Sequence, residues 1–151
     1  MTDGDAIKLD QMVCFALYAA SRAVTQAYRP VLDALGLTYP QYLVLVVLWE
    51  REPISVKELG AALHLDSGTL SPLLKRLESA GLITRSRQAH DERSVHIALT
   101  EQGHAMRERA VDVPCRIAEV TGLDMTTATA LRDQLISLAD TVSGTLPKEK
   151  S

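Results

Sequence analysis

From Leu9 the apolar positions Val13, Leu17, Ala20, Val24, Ala27 and Val31 recur at steps of three and four. This spacing predicts a long amphipathic helix with a heptad-like stripe. Pro30 removes a backbone donor near its end, so the helix should bend or loosen there before Gly36 closes it. Thr38 and Gln41 form a capping box with Pro40 in the first turn, opening an apolar helix over Tyr42 to Trp49 that is expected to be buried on most sides. Ser55 and Glu58 repeat the box. The helix they start carries Leu59, Ala62 and Leu63 on one face. After the turn His64-Leu65-Asp66, Asp66 or Ser67 can cap a second helix that sends Leu70, Leu73, Leu74 and Leu77 inward. That is helix-turn-helix spacing, and Gly81 can take the left-handed position that stops the second helix.

The period then changes. Leu82 to Arg87 and Ser94 to Leu99 alternate apolar and polar about the polar stretch Gln88 to Arg93, which predicts a β-hairpin, and a hairpin directly after a recognition helix is a wing. Thr100 caps a further helix that runs through Met106 and Val113 and meets Pro114 in its interior, so a kink is expected near Cys115. Gly122 ends that helix. Asp124 caps the last one, where Leu131, Leu135, Leu138 and Val142 make another stripe. The expected fold is mainly α with a small β-hairpin wing. A winged helix-turn-helix over 53–100 sits within a single chain of 1–151, and helices over 7–36 and 101–146 carry more apolar surface than one small lobe needs, which predicts a dimerisation domain.

A chain of 151 residues that is 46% apolar supports one compact domain. A net charge of −3 means that any DNA binding must come from a local patch. The window from Lys75 to Arg87 offers one, with Lys75, Arg76, Arg85 and Arg87 against the single acid Glu78. At the front of the second helix, Ser67, Gly68, Thr69 and Ser71 are poor interior helix formers but of a size to reach base edges. Lys75 and Arg76 follow where phosphates would lie, and Arg93 near the wing tip suits a narrow minor groove. The bland alternative is a pair of core helices whose small residues permit close packing, followed by a solvated hairpin. The N-terminus is polar and acid-leaning, unlike a secretory signal, and the longest apolar run is too short for a bilayer, so a cytoplasmic protein with no membrane partner is expected. Cys14 and Cys115 should then begin as thiols, and a disulfide between them would be a signal rather than a staple. With no C-x-x-C, and with His64, His90, His96 and His104 sharing no spacing, the histidines read as unlinked surface groups and no metal or cofactor is implied.

Asp91-Glu92-Arg93-Ser94 followed by Leu99-Thr100-Glu101-Gln102-Gly103 resembles the D-x-R-S…L-T-x-x-G signature of MarR-family transcriptional regulators, and the match extends over nearly the whole chain. It sets Asp91 and Arg93 among the DNA-binding residues of the wing. Within that family, Cys14 to Ala20 and Leu37 to Val44 are similar to the organic hydroperoxide resistance regulators. The resemblance implies a homodimeric repressor on a pseudo-palindromic operator duplex, from which it departs when organic hydroperoxides oxidise Cys14. It further implies that Tyr28 and Tyr39 donate phenol hydrogen bonds to the Cys14 thiolate. Hydrogen bonds to the charged form favour it, and the thiolate is the form that attacks a peroxide. Tyr28 stands fourteen positions beyond Cys14, roughly 21 Å along a helix axis, so it can approach only the cysteine of an antiparallel second copy. Tyr18, one turn from Cys14, would line the pocket. For Cys115 the resemblance leaves two roles, resolving cysteine or passive helix residue, the latter with a low-molecular-weight thiol closing the disulfide. Two rivals remain: a MarR-type regulator released by a phenolic ligand, with Cys14 incidental, and a thiol peroxidase, for which the alternating βα pattern is missing. An enzyme is not expected.

Overall fold

The computed structural model describes residues 7–88 and 91–145; at residues 88 and 91–93 it describes the backbone alone. Seven α-helices lie among the described residues: α1 (Val13–Asp33), α2 (Tyr39–Glu50), α3 (Val56–Leu63), α4 (Ser67–Ser79), α5 (Glu101–Arg109), α6 (Val113–Thr121) and α7 (Met125–Thr145). Strands β1 (Ile54–Ser55), β2 (Ile83–Gln88) and β3 (Asp91–Leu99) form one antiparallel sheet in the order β1-β3-β2. The fold is a mainly α winged helix, as the hydrophobic pattern predicted. The chain divides into two compact units, Met1–Ile117 and Ala118–Ser151.

Local side-chain chemistry starts the helices. Thr38 Oγ1 accepts from Gln41 N at 3.4 Å while Gln41 Oε1 accepts from Thr38 N at 3.0 Å, and Ser55 and Glu58 make the same reciprocal pair at 3.1 and 3.0 Å. Asp66 caps α4 by accepting from Thr69 N at 2.7 Å, Thr100 caps α5 through Gly103 N at 3.1 Å, and Asp124 caps α7 through Thr127 N at 2.8 Å. Each such cap contributes about 1 kcal/mol. Gly81, with φ +76°, ends α4 in a Schellman turn: its N–H donates to Glu78 O at 3.0 Å and that of Leu82 to Leu77 O at 3.1 Å.

Three expectations are corrected, and one strand is added. The first helix begins at Val13 behind a 3-10 turn (Leu9–Gln11), and it runs on through Pro30 to Asp33. The expected kink near Cys115 is a break. A continuous helix would drive the Pro114 ring into the carbonyl of Ala110, so α5 stops, Ala110 O accepts from Val113 N at 3.1 Å, and Pro114 sits in the first turn of α6. The hairpin arms are longer than read, β3 beginning at Asp91, so most of the stretch taken as loop is strand. A third strand, β1, pairs Ile54 with Ile97 and Ser55 with His96.

The core of the first unit surrounds α2, which packs on α1, α3, α4, α5 and β3. Leu32, Val44, Leu45, Leu48, Leu59, Leu70, Leu74, Leu77, Ile83 and Ile97 are almost wholly buried. Burying each such side chain contributes about 1.5–3 kcal/mol. The L-T-x-x-G stretch ties the wing root to α5: Thr100 Oγ1 donates to Gly81 O at 2.6 Å, Thr100 N to Leu82 O at 3.1 Å, and Trp49 Nε1 to Gly103 O at 3.0 Å.

The long stripes stay uncovered in one chain. In α1 only Val31 and Leu32 are buried, and Val13, Phe15 and Val24 are exposed. In the second unit α7 has no buried residue, and Leu131, Leu135, Ile136, Leu138 and Val142 are each about 39–50% exposed. Among the described residues no helix is long and apolar enough to cross a membrane.

Candidate functional site

Two clusters carry chemistry. The first is the outer surface of α4 and the wing. Because Leu70, Leu73, Leu74 and Leu77 face the core, Ser67, Thr69, Ser71, Lys75 and Arg76 are all turned to solvent. Pro72 is also exposed there, and having no N–H it leaves Gly68 O without its helical donor. A groove of about 460 Å³ is lined by Ser67 and Ser71 of α4, Arg85 and Ser94 of the wing and Lys57 of α3. Lys57 was passed over in the sequence. Its position two residues after the Ser55 cap, on the first helix of the pair, was the available signal.

Arg85 differs from the other cations. Its Nε donates to Glu78 Oε2 at 3.1 Å and its Nη2 to Glu78 Oε1 at 3.0 Å, so the guanidinium occupies both carboxylate oxygens of the acid that ends α4. These hydrogen bonds hold the Glu78 carboxyl below its ordinary range. Arg87 is exposed one pleat further along β2, opposite Val95. Asp91 and Arg93 lie at the start of β3, and their side chains lie outside the described residues.

The second cluster is aromatic. Tyr28 of α1 and Tyr39 of α2 meet with ring centroids 4.5 Å apart and planes inclined at 39°; Tyr42 is 6.0 Å from Tyr28, and Trp49 meets Tyr42 edge-on at 6.2 Å. Burial raises the Tyr28 phenol to about 12, with the neighbouring Tyr39 and Tyr42 hydroxyls adding to the effect. Burial raises Tyr39 as well. Both phenols are therefore proton donors throughout the physiological range. Tyr42 was read from the sequence only as part of an apolar run, yet it is the buried floor of this cluster. Beside Tyr39 lies a cavity of about 480 Å³, lined also by Ser21, Arg22, Thr25, Arg29 and Leu37.

Cys14 and Cys115 are both exposed free thiols. Cys14, the second residue of α1, does not line the cavity beside Tyr39, and the helix length between it and Tyr28 keeps the two apart within one chain. The structure places Tyr18 outside that cavity too, exposed, with the Arg22 guanidinium 5.5 Å from its ring centre. Among the described histidines, the expected surface placement is corrected for His96 alone. His104 Nε2 lies 2.7 Å from Glu52 Oε1, and the other oxygen of Glu52 accepts from Leu99 N at 2.6 Å. His96 is half-buried on β3, with Nδ1 shielded from solvent and without a hydrogen-bond partner. His90 lies outside the described residues. Among the described residues no three His, Cys, Asp or Glu side chains converge as metal ligands.

Residues 26–109 match a family model described as transcriptional regulator SarA/Rot. The organic hydroperoxide resistance transcriptional regulator of Bacillus subtilis (strain 168) is 49% identical over 138 residues, covering 91% of this chain and 94% of that protein. Among solved structures, reduced AbfR bound to DNA superposes with a TM-score of 0.74 at 36% identity, covering 89% of this chain and 94% of that one. Disulfide-formed AbfR gives 0.61 at the same identity, covering 87% and 92%. AbfR comes from Staphylococcus epidermidis.

Proposed function

Since the chain belongs to the MarR family of transcriptional regulators, among the organic hydroperoxide resistance regulators, we propose that this DNA-binding regulator is a homodimeric repressor released from its operator when organic hydroperoxides oxidise Cys14. The observation that carries the reading is the contact of two protonated, half-buried phenols, Tyr39 beside an open cavity and Tyr28 on a helix whose far end bears an exposed thiol. In an antiparallel pair of chains the Cys14 of one copy meets the phenols of the other, and the exposed stripe of α1 is the surface such pairing covers.

The chemistry closes without a cofactor. The Cys14 thiolate attacks the outer oxygen of R–O–O–H, the O–O bond breaks, and the departing alkoxide takes a proton and leaves as the alcohol. The sulfur, two electrons poorer, becomes a sulfenic acid. A second thiol, from Cys115 or a low-molecular-weight donor, then displaces water to give a disulfide. Apolar Phe15 next to Cys14 favours carbon-bearing peroxides over hydrogen peroxide. DNA would be held by α4, with Ser67, Thr69 and Ser71 at base edges, Lys75 and Arg76 at phosphates, and Arg87 and Arg93 on the wing.

The test is a gel shift with duplex taken from upstream of the protein's own gene. The reduced protein should bind with steep salt dependence, cumene hydroperoxide should release it, and Cys14→Ser should bind but fail to release. Release of Cys14→Ser by peroxide would remove the redox reading, and release of either protein by a phenolic acid would favour a ligand in the cavity lined by Arg22 and Arg29. Arg93→Ala should weaken binding at least tenfold; unchanged affinity would take the wing tip out of the interface. Tyr28→Phe and Tyr39→Phe should each slow alkylation and peroxidation of Cys14 at neutral pH, with DNA affinity of the reduced protein nearly intact. Equal rates in both variants would mean that the phenols do not reach the sulfur.

A further inference from the structure

We propose that Glu78 and Arg85 form a strut that fixes the wing against the recognition helix, and that Arg85 serves DNA binding as a positioning residue rather than as a phosphate contact. The inference rests on the DNA-binding reading above and changes the part played by one of its cations.

The register of the sheet explains how the pair forms. Ile83 stands opposite Leu99, Arg85 opposite Ile97 and Arg87 opposite Val95, so the three β2 side chains share the face that carries buried Ile83 and Ile97. That face looks toward α4. Arg85 therefore leaves the strand at the rim of the core, pointing back along the chain to the end of the helix just completed, and Glu78, seven residues earlier, meets it with both oxygens. Two parallel N–H···O bonds to a carboxylate fix direction as well as distance, which one bond does not.

The wing needs such a second tie. Its root is held at the Schellman turn, where Gly81 and Leu82 bond back to Glu78 and Leu77 and Thr100 grips the Gly81 and Leu82 carbonyls. Pairing of β3 with β1 and the burial of Ile83 and Ile97 add to this hold, but they too lie at the root. Glu78 and Arg85 attach the next part of β2 to α4 itself. The pair is partly exposed, with side-chain exposures of 41% and 30%, and exposed pairs add little to global stability, so what it sets is the angle between two DNA-reading elements. Arg85 also reaches the groove between α4 and the wing, but its charge there is cancelled at contact distance by Glu78.

The two roles predict opposite signs for one substitution. If Arg85 were a phosphate contact, Glu78→Gln would free it and remove a negative charge from the interface, so DNA binding would tighten or hold. If the pair is a strut, Glu78→Gln should weaken binding about tenfold, and so should Arg85→Gln, while the slope of log Kd against log salt stays at the wild-type value. The charge-reversed double variant, Glu78→Arg with Arg85→Glu, should recover most of the loss. Kd for the upstream duplex would be measured over a range of salt, with circular dichroism melting of each variant to confirm that it folds. Tighter or unchanged binding by Glu78→Gln, a slope for Arg85→Gln smaller by about 0.9, as expected for one lost phosphate contact, or a double variant weaker than either single one would each overturn the strut. Failure of the wild-type protein itself to bind any upstream duplex would instead overturn the DNA-binding reading on which the proposal stands.

Discussion

Alanine at position 103 should cost the first unit a large part of its stability. Gly103 opens α5 directly beneath the wing root, and a Cβ built there falls on the carbonyl oxygen of Leu82, with the Leu99 side chain also in contact. The obstructing atom is backbone, so no rotamer change clears it, and the start of α5 must move away. Three bonds oppose that movement. Gly103 N donates to Thr100 Oγ1, Gly103 O accepts from Trp49 Nε1, and Thr100 N donates to the same Leu82 carbonyl. Separating α5 from the wing root breaks the cap, strands the indole N–H in a half-buried site and opens the packing of Met106 against the core. Overpacking together with lost buried hydrogen bonds places the cost at about 3–5 kcal/mol, against a total of about 5–15 kcal/mol for a typical domain. The expected result is a large fall in the urea midpoint with little change in m, or an insoluble product. Gly144→Ala in α7 is the control, because nothing stands within 4 Å of its Cβ and the exchange should be neutral or stabilising by about 0.5–1 kcal/mol. A midpoint for Gly103→Ala equal to that of the unchanged chain would show that α5 is not pinned to Leu82.

What the sequence disclosed and what it hid divide by range. The capping boxes at Thr38 and Ser55, the Asp66 cap and the positive φ of Gly81 depend on residues within four positions of one another, and each stands in the structure as read. The change from helical to alternating period at Leu82 was equally local and located the wing. β1 escaped because two residues make no pattern, and its existence depends on β3 some forty positions away. Pro114 was seen, but whether a proline kinks a helix or begins a new one depends on the three residues before it, and here Ala110 O closes on Val113 N. Side-chain partners across long intervals were invisible. Nothing around His104 signals Glu52, and nothing around Trp49 signals Gly103. Arg85 could be seen only as a charge, although its place two residues after buried Ile83 in an alternating strand was a clue that it faced inward. Of the residues proposed to sense the oxidant, the family resemblance put Tyr28 and Tyr39 together, and within one chain they are. The approach of Cys14 to them that we propose would require a second chain.

Cys115→Ser should leave the first oxidation of Cys14 intact and block most of the DNA release that follows it. The reason is mechanical. Two recognition helices bind neighbouring half-sites only when their separation matches about one turn of duplex, roughly 34 Å, so the proposed release by oxidation would act by changing that separation. A sulfenic acid adds a single oxygen to Cys14, a change small enough for the phenols to accommodate. A Cys14–Cys115 bond between subunits makes a far larger demand, since it needs Cα atoms within about 7 Å. Cys14 lies in the first turn of α1 and Cys115 in the first turn of α6, each exposed in its own chain, and on the proposed reading a thiolate held by the phenols of Tyr28 and Tyr39 would have to leave them to reach the other cysteine. On that reading the departure would remove the hydrogen bonds between the thiolate and the phenols and would rotate the helices that carry the two reading heads. With serine at 115 the sulfenic acid should form at the wild-type rate, trapped by dimedone as a mass increase on the Cys14 peptide, while the DNA complex survives until a small thiol is added and builds a bulky mixed disulfide. Non-reducing gels should show a covalent dimer in oxidised wild type and none in either cysteine variant. Rapid, complete release by Cys115→Ser without added thiol, together with no covalent dimer in wild type, would make Cys14 a one-cysteine sensor and leave Cys115 a bystander on α6.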